Sequence, residues 1–417
     1  MSVLTPPLRG AVAVPGWAKN ELWRKAKAIP SLDLRFAENK SLVDATTGAS
    51  LVTFTRASSG TFVGSNGLIQ SASTDVPRFD HNPTTGESLG LLVEEARTNL
   101  SLYSEDFSNA YWVKTDCTIT ANETTAPDGT LTADLWTNTS TPGIVASSTI
   151  TKDTTARTYT GSLWVKGNST AFTVSIDNGG TTNRGRAIFN LSSGTFTSVS
   201  NDGNFTNTSG TITAYADGWY RLTITTTTST GTTIRLRSFF SGSNLTVRIW
   251  GAQVEEGAFV TSYIPTTTAT VTRSADVASD TTRGGNIRSL FAQFRSPASG
   301  TRPVVSLDDN TANERIEVLT SGTDPKLLVT DGGSAVADLN GGTVVANVTA
   351  RAAAHFSTDD YAISINGGTS QLDAAGTLPT ATRIRIGSNQ AGGYLNGTIA
   401  RITGWESALP LLPPVSE

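Results

Sequence analysis

Side chains able to do covalent or metal chemistry are few in this chain of 417 residues, which has two histidines and one cysteine. His81 follows Asp80 in a loop, and His355 lies in RAAAHFSTDDYAISING; neither has the HExxH or HxH spacing that places two imidazoles on one metal. No G-x-S-x-G segment accompanies them, so Asp80 and His81 are expected to make a local contact rather than part of a triad. Cys117, alone, excludes an internal disulfide framework and a cysteine-based zinc site, and reads as a small, half-buried residue near a strand. Four adjacent acidic pairs remain: Glu94/Glu95, Glu255/Glu256, Asp308/Asp309 and Asp359/Asp360. Glycoside hydrolysis needs two carboxyl groups about 5–10 Å apart across one bond. Neighbours on a strand point to opposite faces, so none of these pairs clamps a sugar by itself. The expectation is a protein that is not an enzyme and needs no cofactor.

Two turns are rich enough in oxygen to hold Ca²⁺, Asp308-Asp309-Asn310 with Glu314 and Asn201-Asp202-Gly203-Asn204. Neither has the spacing of an EF-hand loop, and Asx-turn hydrogen bonding accounts for both without an ion. Aromatic rings are the other ligand-facing chemistry, because an exposed ring stacks on a sugar face. Trp164, Trp219 and Trp250 sit inside strand patterns and read as core. Tyr111, Trp112 and Trp136 lie nearer to loops and are the candidate glycan platforms.

The elements that must position these residues are strands. Hydrophobic residues make up 37% of the chain and charged residues only 16%, and the polar remainder is largely Thr, Ser, Asn and Gly. Thr fits a pleated surface while Gly, Asn and Ser supply turns, so the expected class is all-β, built from tandem β-sandwich or jelly-roll domains. A formal charge of −4 and a pI near 5.4 give no basic footprint, and a nucleic-acid partner is not expected. No apolar run approaches the roughly 18 residues of a membrane span, and MSVLTPPLRGAVAVPGW has no continuous apolar stretch of the signal-peptide kind. Cytosolic synthesis followed by assembly is the expectation.

Punctuation by Pro, Gly and Asn suggests five parts. Residues 1–30 form a Pro-rich, mostly non-β anchor in which Ala18–Ala28 could make one short helix. Trp17, Trp23, Arg24, Lys25 and Lys27 are its candidate docking side chains, the alternative being a leader folded back on its own domain. Residues 31–100 read as a small β-rich adaptor, and 101–265 as a β-sandwich with strands such as TYTGSLWVKG, TAFTVSIDNGG and LTVRIWGAQVEEG. Within it, the Thr-rich run after Trp219 is a strand with Leu222 and Ile224 inward. Residues 266–286 are poor in apolar side chains and read as a linker; 287–417 resume strands and Gly-Gly turns.

Several segments of the middle module occur in an order that resembles the head spike or fibre domain family of tailed-phage virion proteins. They are GLLVEEARTNLSLYSEDFSNAYWVK, the WVKG strand at Trp164–Gly167, DGWYRLTIT, and WGAQVEEGAFVTSYIPT followed by TRSADV. The last module, through YAISINGG, TRIRIGSN and YLNGTIARITGWESAL, is similar to concanavalin-like and laminin G-like jelly rolls. The resemblance implies a virion structural protein, a head or tail spike, fibre or decoration protein, that displays glycan-binding-type sandwiches. It further implies a homo-oligomer, a trimer above all, attached to other virion proteins through its leader and touching host-surface glycan. Alternatives are a receptor-binding tail fibre and a secreted, non-catalytic carbohydrate-binding accessory.

Overall fold

Alternating patterns closed by Gly, Asn and Asp leave little chain for helices, and the computed structural model is strand nearly throughout. It describes residues 21–180, 182–228, 231–242, 244–297 and 300–409. Among these, the α-helices are the short segments Glu21–Ala26 and Phe36–Asn39, and no helix is long and apolar enough to cross a membrane. The chain forms two compact units, each discontinuous: one takes residues 21–53, Ser279–Gly393 and 399–409, the other Phe54–Ala278 and Tyr394–Thr398.

The Phe54–Ala278 unit is centred on a sandwich of two antiparallel sheets. One, here the tryptophan sheet, runs in the order Phe205–Ala214, Tyr220–Thr228, Arg157–Gly167, Thr246–Glu256, Ala133–Asn138, Cys117–Thr124. The other, the arginine sheet, runs Thr195–Asp202, Arg184–Asn190, Phe172–Asp177, Thr233–Phe240, Gly143–Ser147, Trp112–Thr115. Alternate side chains from both fill one core that includes Trp136, Leu163, Val174, Ile176, Leu222, Ile224, Leu236 and Ile249. Leu222 and Ile224 thus point inward as their pattern requires, and Cys117 is half-buried at the margin of this core.

A second, smaller aromatic cluster covers the other face of the tryptophan sheet. Trp164, Trp219, Trp250 and Tyr263 pack there with Ile69 from the Ile69–Ala72 strand. The three tryptophans are core, as their strand context suggests, but core on the outer side of the sheet. A bulge arranges this. Val247 and Ile249 face the sandwich at odd positions, Ala252 and Val254 at even ones, and Gly251 between them has φ +67°. The extra residue shifts the side-chain phase by one, so Gln253 and Glu255 point away from the sandwich. Only glycine suits the position: an added Cβ would lie 2.7 Å from the Trp164 ring.

The other unit is also built from two antiparallel sheets. Gln371–Asp373, Asp360–Ile365, Ala350–Ser357, Ser289–Arg295 and Gly397–Trp405 lie in order in one, with Leu32–Leu34 pairing onto Gly397–Trp405 in register Leu32 to Gly404. Arg383–Ile386, Thr301–Asp308, Arg315–Ser321, Asp324–Asp331 and Ser334–Asn340 form the other. Leu290, Ala292, Phe356 and Ile363 from the first and Val305, Leu307, Val318 and Val329 from the second are buried.

Two organisational expectations change. The supposed linker at 266–286 holds the strands Val271–Arg273 and Val277–Asp280, and Arg273 and Asp276 in it are fully buried. Its scarcity of apolar side chains had suggested a linker; its charges are instead paired inside the unit. The adaptor at 31–100 divides near Thr53, its first part belonging to one unit and its remainder to the other.

Candidate functional site

The segments that carry the family resemblance converge on one buried polar network. Glu94 accepts the Ser262 backbone N–H at 2.8 Å and its hydroxyl at 2.7 Å, and pairs with Arg78 at 2.8 Å. Arg78 also bonds Asp276 and donates to the Thr61 carbonyl at 2.8 Å. Arg56 reaches Asp276 at 3.1 Å, and Arg273 donates to the Glu95 carbonyl at 2.8 Å. Glu255 accepts the Thr261 N–H and hydroxyl at 2.9 and 2.7 Å, and Gln253 accepts the Ile264 N–H at 2.8 Å. Asn99 clasps the Ala252 and Ile264 carbonyls at 3.0 and 2.8 Å. VEEARTN, AQVEE, VTSYI and TRSADV, far apart in sequence, thus satisfy one another's polar groups.

Electrostatics fit that structural role. Burial pushes the Glu94 carboxyl up, but the Arg273 and Arg78 guanidiniums beside it outweigh burial and hold it at about 2. Asp80 lies nearby with fewer partners: burial, helped by the Glu94 charge, raises it to about 6 although the Val63 N–H bonds it at 2.7 Å. A half-open cavity of about 130 Å³ adjoins the network between Ser58, Thr61, Tyr263 and Arg273. Its one cation is already engaged by the Glu95 and Ser274 carbonyls, so the cavity offers little to a charged ligand.

The other candidates from sequence fare unevenly. Trp112 and Trp136 are 2% and 0% exposed, so neither is a sugar platform. Trp136 packs edge-on against Phe172 and Phe240 in the sandwich core, and Trp112 lies 4.6 Å from Phe107. Tyr111 is half-buried and edge-on to Trp112 at 5.4 Å, which leaves it no free face comparable to an open platform. Trp23, taken as a docking residue, is buried with Leu22 against Phe291 and Trp405 and donates to Asp33 at 3.0 Å. The chain from Glu21 thus folds back on its own unit. Lys27 is exposed; Trp17 and the Arg24 and Lys25 side chains lie outside the described residues.

Three of the four acidic pairs divide between inside and outside, and Asp359 and Asp360 are both exposed. Glu94, Glu255 and Asp308 are buried, while their neighbours Glu95, Glu256 and Asp309 turn outward. The His81 ring contacts the Val63 carbonyl at 3.0 Å while its backbone N–H bonds the Asp80 carboxyl, and His355 meets Asp360 at 2.9 Å. The oxygen-rich turns cap backbone: Asp308 accepts the Asn310 N–H and pairs with Arg385 at 2.9 Å, while Glu314 accepts the Gly332 and Thr380 N–H groups. Asn201 accepts from Thr208, and Asp202 pairs with Arg184. Among the described residues no group of three or more His, Cys, Asp or Glu converges as a metal site.

A surface that sequence reading missed is the outer face of the arginine sheet. Strand register lines its side chains into rows across the strands. One row is Asp202, Arg184, Asp177 and Arg235; the next is Ser200, Arg186, Ser175, Arg237 and Ala146; the third is Ser198, Ile188, Thr173, Phe239 and Ile144. Arg184 and Arg237 lie over the Phe239 ring at 5.6 and 5.5 Å. The signal was present as alternation, with Arg184, Arg186 and Ile188 at every second position of RGRAIFN and Arg235, Arg237 and Phe239 at every second position of TIRLRSFF.

No family model matches this chain. No curated protein resembles it in sequence. Among the solved structures similar at low level are domains LG4-5 of the mouse laminin alpha1 chain and the LG1-3 region of the laminin alpha2 chain. The first is 9% identical with a TM-score of 0.22, covering 66% of this chain and 93% of that one. The second is 8% identical with a TM-score of 0.16, covering 71% of this chain and 92% of that one. A likeness of this size fixes neither ligand nor partner.

Proposed function

We propose that the protein is a structural component of a tailed-phage particle, a head or tail spike, fibre or decoration protein. It holds β-sandwiches outward and adheres through them to host or environmental polysaccharide without cleaving it. The supporting observation is the outer face of the arginine sheet. Ser198, Ser200, Arg184, Arg186 and Arg235 stand there exposed or half-exposed at strand spacing, above a buried Thr173, Ser175 and Asp177, fixed by register rather than by loops. Such a face suits shallow contact along an extended chain molecule. Weak single-site affinity would be raised about 10²–10⁴-fold when many copies act together.

A glycan array probed with the full chain, run beside a reducing-sugar assay on host polysaccharide, tests this reading. Retention of glycan without new reducing ends is the expected result. Release of reducing ends would overturn the non-enzymatic role; no retention at all would leave particle decoration alone.

A further inference from the structure

The half-open cavity beside the polar network has a size and a lining that name a ligand class. The hairpin of Gly60–Val63 and Ile69–Ala72, the strand Val271–Arg273 and the segment from Tyr263 to Pro265 line it. Ser71 stands opposite Thr61 in the hairpin register, so the two side chains leave on one face. The Thr61 hydroxyl donates to the Tyr263 carbonyl, which turns that face toward the Tyr263 segment. Ser59 and Ser71 are exposed, and among the described residues neither hydroxyl has a protein partner. Ile264, Pro265 and Val271 supply apolar lining, and Val271 is 40% exposed. The cation in the lining, Arg273, is already matched. It donates to the Glu95 and Ser274 carbonyls and stands 3.5 Å from Glu94 and 3.9 Å from Asp276.

We infer that this cavity binds the neutral terminal sugar of a polysaccharide, one pyranose ring at a time. The inference rests on the adhesion reading above and adds to the sheet face a second contact, made at chain ends. Volume sets the size of the ligand. An enclosed cavity of about 150 Å³ accepts one benzene ring. A half-open one of about 130 Å³ therefore takes a single six-membered ring and leaves the next residue in solvent. Lining sets the class. A pyranose has C–H faces and a rim of hydroxyls; its C–H groups lie against Ile264, Pro265 and Val271, and two hydroxyls meet Ser59 and Ser71, each able to donate and accept. Hydroxyls toward the opening stay hydrated, so none is buried without a partner. A sugar acid is the poorer fit, because Glu94 and Asp276 already neutralise Arg273 and would repel a further carboxylate.

The test is ligand-observed NMR of the full chain with glucose, galactose, mannose and rhamnose, and with glucuronate as the charged probe. Retention on immobilised host polysaccharide is measured beside it. At least one neutral sugar should bind with a Kd on the order of millimolar and should displace part of the retained protein. V271W and S71W each set an indole in the cavity and should weaken that binding at least about tenfold. Both positions are exposed, so the two thermal melts should match the parent. R186A, on the arginine sheet, should bind the sugar as the parent does. Binding unchanged in both tryptophan variants overturns the site. Glucuronate bound as tightly as the neutral sugars overturns the neutral assignment. Polysaccharide retained while no single sugar binds overturns the inference and leaves adhesion standing. Failure of both overturns both readings.

Discussion

Asp80 and Glu94 are fourteen positions apart in sequence and titrate in opposite directions, each for a cause visible around it. Glu94 is held near 2, below its unfolded value, so its contribution to stability is complete above about pH 4.5 and fades as pH falls toward 2. Asp80 is raised to about 6, so the fold favours its protonated form; stability falls as pH rises from about 4 to 6 and is level above. Asp80→Asn keeps an acceptor for the Val63 N–H and removes that titration. It should match the parent near pH 4 and exceed it by about 2–3 kcal/mol at pH 7, as read from denaturant melts across that range. Glu94→Gln strands Arg78 and Arg273 and should cost about 3–5 kcal/mol near pH 7; a loss below about 1 kcal/mol would mean the network is not what secures Ser262. The sequence pattern could not separate these two acids, because their neighbours come from positions up to about two hundred residues away.

Strands were legible because period 2 is a local signal, and most strand-like runs named from sequence are strands in the structure. Which face of a strand is inward was legible only where one face is plainly apolar. ADLWTN places Trp136 inward since its partner in register is Val247, and no local pattern reports a partner. TRSADV was misjudged because a segment poor in apolar residues reads as a linker, whereas here Arg273 and Asp276 are buried and paired inside the unit. The Gly251 bulge is where sequence and fold meet most tightly. Gly251→Ala should cost about 2–4 kcal/mol through φ strain and crowding of Trp164, with loss of near-UV tryptophan dichroism as the accompanying sign. At the start of the described chain, Trp23→Ala should cost about 3 kcal/mol as a core truncation, whereas an anchor residue would leave the melt unchanged. If residues 2–20 carry the proposed anchor, deleting them should abolish incorporation into particles; incorporation at parental copy number would place the anchor elsewhere.

For the whole molecule, the proposal of a particle protein carries an expectation about assembly. Closed cyclic symmetry is the norm for homo-oligomers, and the chain is proposed to form a trimer that docks on other virion proteins. Native mass spectrometry of the full chain should give three copies at micromolar concentration, and a monomer would remove the proposal. Negative-stain imaging of labelled particles would then separate head from tail attachment. Acidic composition and an arginine face coexist without conflict, since the excess positive charge is confined to two strands of one sheet.

One small contact bears on how the chain is made. Asn396 accepts the Glu95 backbone N–H at 2.8 Å and donates to the Glu95 carboxylate at 2.9 Å, across 301 positions. Likewise Leu32–Leu34 waits for residues 402–404 before it has a strand to pair with. A ribosome delivers the early partners long before the late ones, so each unit stays unfinished through most of translation. A chain halted before Tyr394 should be cut by protease at sites the finished protein hides. Length is thereby checked by folding itself, since a chain that stops short leaves both units without a late segment that their early residues pair with.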